Sequence, residues 1–336
     1  MSGPAVNPSP PISVVVCTRD RPDDLQACLA SLQALDYPDY EVVVVDNAPS
    51  SDAARALVAR SGFRYEREER PGLDWARCRG VRVARHDIIA FTDDDVRVEP
   101  GWLRGVARAL DRPAVLAMTG LVLPLELSTE AQRLFECYGT GMSRGHEPRH
   151  FVPQRMSWRQ LIETQAIGVG ANMALRRRAF AVAGDFDTAL DAGTPSGGAG
   201  DLDMFRRVLR AGGEIRYEPA AVVRHRHRRE MHELERQLRA NGRSYGVYLI
   251  KAARHGGAEG AAAVAYALTV WLPWLAGRLL RGLLGAHPLP VALLWAELRG
   301  ALASPGAYHR TYLRDRQLRD GFAPARAVAP AADEGR

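Results

Sequence analysis

Lysine is nearly absent from this chain: among 45 Lys and Arg residues in 336, Lys251 is the one lysine. The net charge of +6 and the pI near 9.4 therefore rest on guanidinium groups. Arginine suits bidentate contacts to phosphate, and a basic surface suits nucleotides, nucleic acids or anionic lipid heads. The Ala-rich composition offers a second account, because genomic bias also replaces Lys by Arg. Cysteine is scarce as well. Cys17, Cys28, Cys78 and Cys137 form no C-x-x-C pair and show no zinc spacing. They read as reduced thiols in or near the core, in a reducing compartment. No G-x-G-x-x-G follows the first apolar run and no G-x-x-x-x-G-K-[ST] occurs anywhere, which argues against a dinucleotide fold of that kind and against a P-loop. Residues 1–11 lack a charged start followed by an apolar core, so they read as a disordered tail and not as a signal peptide.

What is present is globular composition, 46% hydrophobic and 25% charged, enough for one large or two moderate domains. Residues 12–17 (ISVVVC) and 41–45 (EVVVV) are β-branched runs of the kind buried on both faces of a sheet. Between them, Leu25, Cys28, Leu29, Leu32 and Leu35 recur at helical spacing. Helical patterns at 51–61 and 73–84 and a strand at 87–92 continue the alternation. A parallel sheet with helices on both faces follows, an α/β class in which ligands bind beyond the carboxyl ends of the strands. Three strand ends carry polar residues: Thr18-Arg19, Asp46-Asn47 and Asp93-Asp94-Asp95. Three adjacent carboxylates repel one another and are costly to desolvate. They are either a solvated acidic turn or a site for a divalent cation that in turn holds phosphate. Convergence of the three strand ends on one crevice favours the cation.

Four segments, VVVCTRDRPDDLQACLASL, VVVVDNAPS, RPGLDWARCRGV and IIAFTDDDVRVEPGWL, together resemble the family-2 glycosyltransferases of GT-A fold. The resemblance implies a Rossmann-like mixed sheet flanked by helices. It implies that Thr18, with Arg19 beside it, and Asp46 face the nucleobase, aided by Arg77. Asp94 would meet the ribose and Asp95 would bind Mn2+ or Mg2+, with Asp93 counted among the nucleotide- and sugar-binding residues or else only shaping the loop. Cys78 stands where the family has Asn. Residues 167–177 resemble the G-x-N-x-A-x-R segment, placing Asn172 beside the sugar. Residues 200–203 resemble the E-D-x-D motif with Gly200 in the Glu position, so Asp201 inherits the role of catalytic base and Asp203 a supporting one. Both also sit in a first helical turn, where the helix dipole favours carboxylates. The resemblance places one His after the last strand near the metal, and His225 fits that position.

Residues 126–153, rich in Gly, His and Arg, read as a mobile loop region. Residues 191–200 are either a lid or a plain flexible loop. Residues 230–313 read as helical, with apolar stretches at 260–277 and 282–296. Helices lying in a membrane interface, a buried helical extension and a full span are the three readings, in that order. The expected organisation is a tail (1–11), a catalytic domain (12–229), a helical region contacting the membrane surface through 258–300, and a second tail (314–336). The expected protein is an inverting, metal-dependent sugar transferase at the cytoplasmic face of the membrane. It would use a UDP- or dTDP-sugar and a glycan or lipid-linked acceptor, and no nucleic acid. The alternatives are an inactive sugar-nucleotide-binding protein, raised by Gly200, and a basic nucleic-acid-binding protein.

Overall fold

All seven residues of β1 (Ile12–Thr18) are buried, as a strand apolar on both faces requires. The chain continues through α1 (Pro22–Gln33), β2 (Tyr40–Asn47), α2 (Ala53–Ser61), β3 (Arg64–Glu68), α3 (Leu73–Val83) and β4 (Ile88–Asp93). Then come β5 (Val96–Val98), α4 (Trp102–Ala109), β6 (Val115–Pro124), α5 (Glu130–Cys137), β7 (Arg149–Phe151) and α6 (Trp158–Ile162). The sheet is completed by β8 (Asn172–Arg176), α7 (Arg177–Ala183), α8 (Gly200–Arg210) and β9 (Glu214–His225). The C-terminal helices are α9 (Met231–Ala253), α10 (Gly257–Tyr266), α11 (Leu272–Leu283), α12 (Val291–Leu302) and α13 (Ser304–Gly321). This computed structural model describes residues 9–138 and 141–322.

One mixed sheet carries the fold, in the order β3-β2-β1-β4-β8-β6-β9-β5, with β7 on β9. The pairs β3-β2, β2-β1 and β1-β4 are parallel, and β8 runs antiparallel between β4 and β6. The chain leaves β1 toward β2 on one side and returns to β4 on the other. Their carboxyl ends therefore open a crevice at the reversal of strand order. Register places Thr18 beside Asp46 and Cys17 beside Asp93, which gathers the three polar strand ends. Alternate side chains divide the core: Val14 and Val16 pack with Leu25 and Leu29 of α1, while Val15 and Cys17 pack with Met204 and Phe205 of α8.

The helical region is locked on by backbone contact. A Cβ at Gly242 would lie 2.1 Å from the Glu297 carbonyl oxygen, and one at Gly300 2.0 Å from that of Arg239, so α9 and α12 cross with their backbones touching. Arg278 of α11 reaches Glu297 at 2.6 Å, and the Tyr138 hydroxyl donates to the same carboxylate at 2.5 Å. A continuous helical stretch, Gly257–Leu283, has the length and mean hydropathy (1.4) of a membrane span and is 28% buried. Its outer face exposes Leu268, Leu280 and Leu283, and Trp295 of α12 is exposed nearby.

Several expectations are corrected. Residues 126–153 are not simply a loop: Thr129 and Gln132 form a reciprocal capping box that starts α5. Residues 314–321 are not a tail but the end of α13, whose Thr311, Tyr312 and Asp315 bond to the 187–189 turn. The remainder of that expected tail, 323–336, and residues 1–8 of the first lie outside the described residues. Cys17, Cys28 and Cys78 are buried, but Cys137 is exposed. Residues 191–200 form a turn rich in internal bonds, including Thr194 to Ser196 at 2.8 Å and the Asp191 N–H to the Gly198 carbonyl at 3.1 Å.

Candidate active site

A cavity of about 300 Å3 opens at the crevice, walled by Thr18, Arg21, Asp94, Asp95, His225 and Arg228 among others, with Arg19 at its edge. The Thr18 hydroxyl donates to Asp94 Oδ2 at 2.8 Å, and the Arg21 guanidinium lies 3.3 Å from both Asp94 and Asp95. Arg228 lies 3.8 Å from Asp95. Burial raises the Asp93 carboxyl to about 7 against the opposing pull of Arg77, with Asp95 and Asp94 adding to the rise. Burial likewise raises Asp94, again with Asp95 beside it.

Asp93, Asp95 and His225 present ligand atoms all within 4.8 Å of one another. The His225 Nε2 is 3.3 Å from Asp95 Oδ1. Burial lowers the pKa of this imidazole against the opposing pull of Asp95, which favours the neutral form that can ligate. Two carboxylates and one neutral imidazole are a donor set suited to a manganese- or magnesium-like ion. β9 delivers His225 because it ends beside the acidic loop, where the Arg226 N–H bonds to the Asp95 carbonyl at 3.0 Å.

A second cavity, about 650 Å3, adjoins the first and shares Asp93 as a wall. Asp201 lines it from the first turn of α8. Its carboxylate accepts N–H bonds from Gly170 at 2.7 Å and from Leu202 at 2.8 Å. Burial raises the Asp201 pKa, the charge of Asp191 adds to the rise, and Arg77 opposes it. Tyr245, Tyr266, Trp271 and Trp274 of the C-terminal helices line the same cavity.

Four other expected site residues do not line the first cavity. Arg77 is buried and lines the second cavity, not the first. It donates to Asp191 at 2.5 Å and Asp74 at 3.0 Å. Asn172 is spent inside the core: its amide donates to the Leu121 and Ala221 carbonyls at 3.0 and 2.8 Å and accepts from Trp102 Nε1 at 2.9 Å. Asp203 faces away from both cavities and takes 2.7 Å bonds from Lys251 and Arg207. Asp46 is fully buried, accepts from Tyr65 at 3.0 Å through one oxygen, and leaves the other without a partner.

The geometry also explains Gly200. A Cβ there would lie 2.0 Å from Asp74 Oδ2 and 2.7 Å from Asp191 Oδ2. Two carboxylates from outside α8 crowd the place where a Glu side chain would start. Arg21, Asp74 and Asp191 are not among the site residues expected from the sequence. Arg21 had a sequence signal, since it lies three residues beyond Thr18 and opens α1. Asp74 and Asp191 had none, since only the fold brings them together.

The sequence model of glycosyl transferase family 2 matches residues 13–183. The chain is 24% identical over 227 residues to the pre-mycofactocin glycosyltransferase of Mycobacterium tuberculosis, covering 66% of this chain and 44% of that one. It is 22% identical over 193 residues to the glucosyl-dolichyl phosphate glucuronosyltransferase of Haloferax volcanii, covering 53% and 56%. The chain thus spans under half to just over half the length of these curated relatives. A mannosyltransferase of Pyrobaculum calidifontis, solved with GDP-mannose and Mn2+, shares the fold at a TM-score of 0.54 and 20% identity over 96% of this chain and 90% of that one. With the match covering more than half of its residues, the chain belongs to glycosyl transferase family 2.

Proposed function

We propose that the chain transfers a sugar from a nucleoside-diphosphate sugar, with UDP or dTDP as the carrier, to an acceptor hydroxyl with inversion. One observation carries this reading: two cavities meet at Asp93, with the acidic cluster and His225 in one and Asp201 in the other. Asp93, Asp95 and His225 would hold Mn2+ or Mg2+. When bound, that ion supplies charge neutralisation to the departing diphosphate, and the Pyrobaculum mannosyltransferase was solved with Mn2+ and a sugar nucleotide. Arg21 and Arg228 are placed to pair with the same phosphates. Asp94, held by Thr18, faces the ribose. The unpartnered oxygen of Asp46 suits a nucleobase N–H.

Asp201 takes the proton from the acceptor hydroxyl. Its two backbone N–H bonds fix the carboxylate, and its raised pKa makes it a stronger base than a free Asp. The hydroxyl then attacks from the face opposite the diphosphate, which inverts the anomeric centre. The aromatic wall of the second cavity suits the apolar faces of a glycan, and the apolar face of Gly257–Leu283 suits a lipid-linked acceptor at the cytoplasmic membrane surface. Donor hydrolysis and transfer are measured across UDP-, dTDP- and GDP-sugars with Mn2+. Asp201→Asn is expected to abolish turnover and keep nucleotide binding; equal turnover in variant and wild type would refute the assignment of the base.

A further inference from the structure

His225 does not stand alone at the metal position. Its Nδ1 lies 3.2 Å from His227 Nδ1, and His227 Nε2 lies 2.7 Å from Glu136 Oε1. Both imidazoles are buried, and the Phe135 ring packs edge-on against His227 with centroids 4.7 Å apart. The two histidines share one side because side chains two residues apart on an extended segment point the same way. Glu136 comes from α5, nearly a hundred residues earlier.

We propose that His227 and Glu136 form a relay of positioning residues that fixes His225 as a metal ligand. The inference rests on the metal reading above. The hydrogen-bond geometry admits one proton arrangement when His225 Nε2 gives its lone pair to an ion. Nδ1 of His225 then carries the proton and donates to His227 Nδ1. His227 carries its own proton on Nε2 and donates it to the Glu136 carboxylate. Each donor meets one acceptor along the chain. As acceptor, the Glu136 carboxylate oxygen selects the His227 tautomer, and His227 in turn selects the His225 tautomer whose free lone pair faces Asp95. Partners of this kind orient a ligating imidazole and raise its basicity. The relay gives α5 a part in ion binding although none of its residues lines the acidic crevice.

Manganese binding to the full chain, measured by electron paramagnetic resonance and calorimetry with Mn2+ alone and with UDP or GDP, tests the relay without any turnover. His227→Leu is expected to weaken Mn2+ about 10- to 100-fold. His227→Gln, which keeps an oxygen to accept the His225 proton, is expected to recover most of that loss. Glu136→Ala, at a half-buried position on a short helix, is expected to weaken Mn2+ severalfold while the chain stays folded in the absence of metal, read by its melting transition. Wild-type affinity in both His227→Leu and Glu136→Ala would overturn the relay while leaving the metal site standing, as would equal losses in the Leu and Gln variants. A wild-type chain that binds no Mn2+ would overturn the metal reading and the relay with it.

Discussion

Installing a Glu at position 200, as the E-D-x-D resemblance invites, should damage this protein. The first atom of any side chain there meets Asp74 Oδ2 at 2.0 Å and Asp191 Oδ2 at 2.7 Å. Asp74 is fully buried and is held by Arg77, which also holds Asp191, so neither carboxylate has room to retreat without breaking an ion pair. Overpacking of this kind costs about 1–3 kcal/mol. Position 200 is helical, so Ala gains up to about 1 kcal/mol of propensity over Gly. Gly200→Ala should therefore destabilise by about 1–2 kcal/mol. Gly200→Glu adds a further carboxylate beside Asp74, Asp191 and Asp201, and forces the buried ion pair apart; a loss of about 3–5 kcal/mol follows. Urea unfolding at fixed m-value reads both numbers. Removing the obstruction should restore part of the loss, so Gly200→Glu combined with Asp74→Ala should show a favourable coupling of about 0.5–3 kcal/mol. A Gly200→Glu chain as stable as wild type, or one with enhanced transfer, would refute the crowding argument.

The acid limb of kcat/KM against pH should follow Asp201, which must be ionised to accept a proton. Because burial and Asp191 raise its pKa, activity falls as pH drops through that raised value, and Asp191→Asn should move the limb to lower pH. An unmoved limb would exclude Asp191 from control of the base. Burial would raise Asp203, but Lys251 and Arg207 outweigh it and hold the carboxyl below its usual pKa. Its contribution is therefore present above the unfolded value and lost as pH falls through the depressed folded value. Lys251→Met should cost about 1–3 kcal/mol near neutral pH and move acid unfolding to higher pH, read by circular dichroism. On anionic vesicles, the wild-type chain should co-sediment, and Leu268→Asn with Leu280→Asn and Leu283→Asn should release it; equal pelleting of both would remove the 257–283 face from membrane contact.

The first hundred residues are readable because β1, β2 and β4 are two-sided apolar runs and α1 keeps a 3.6-residue repeat, whereas the charged β3 (RYERE) carries little signal. Asp201 is readable through a local motif. Arg77 is readable as a site residue but not as a partner of Asp191, since 114 positions separate them. Asn172 misleads for a physical reason: an amide beside a strand end serves equally well as a sugar contact or as a fastener of three chain segments, and only burial distinguishes them. The α5 helix was within reach, because Thr129 and Gln132 spell a capping box, but Gly-rich sequence just beyond it obscured the signal. Lys251 shows the limit most plainly. The chain's single lysine bonds to Asp187 at 2.6 Å and Asp203 at 2.7 Å, a role that no pattern near residue 251 announces.

The docking of α13 on the 187–189 turn has a consequence for the order in which the molecule becomes competent. That turn leads directly into Asp191, and Arg314 of α13 also bonds to the Pro71 carbonyl at 2.8 Å, just ahead of Asp74 and Arg77. During synthesis the sheet has its sequence in hand by residue 225 and the acidic crevice by residue 228. The Asp191 turn gains its remaining supports only when residues beyond 310 have emerged. Clipping α13 should therefore loosen the Asp191 turn while leaving the sheet and the acidic crevice assembled.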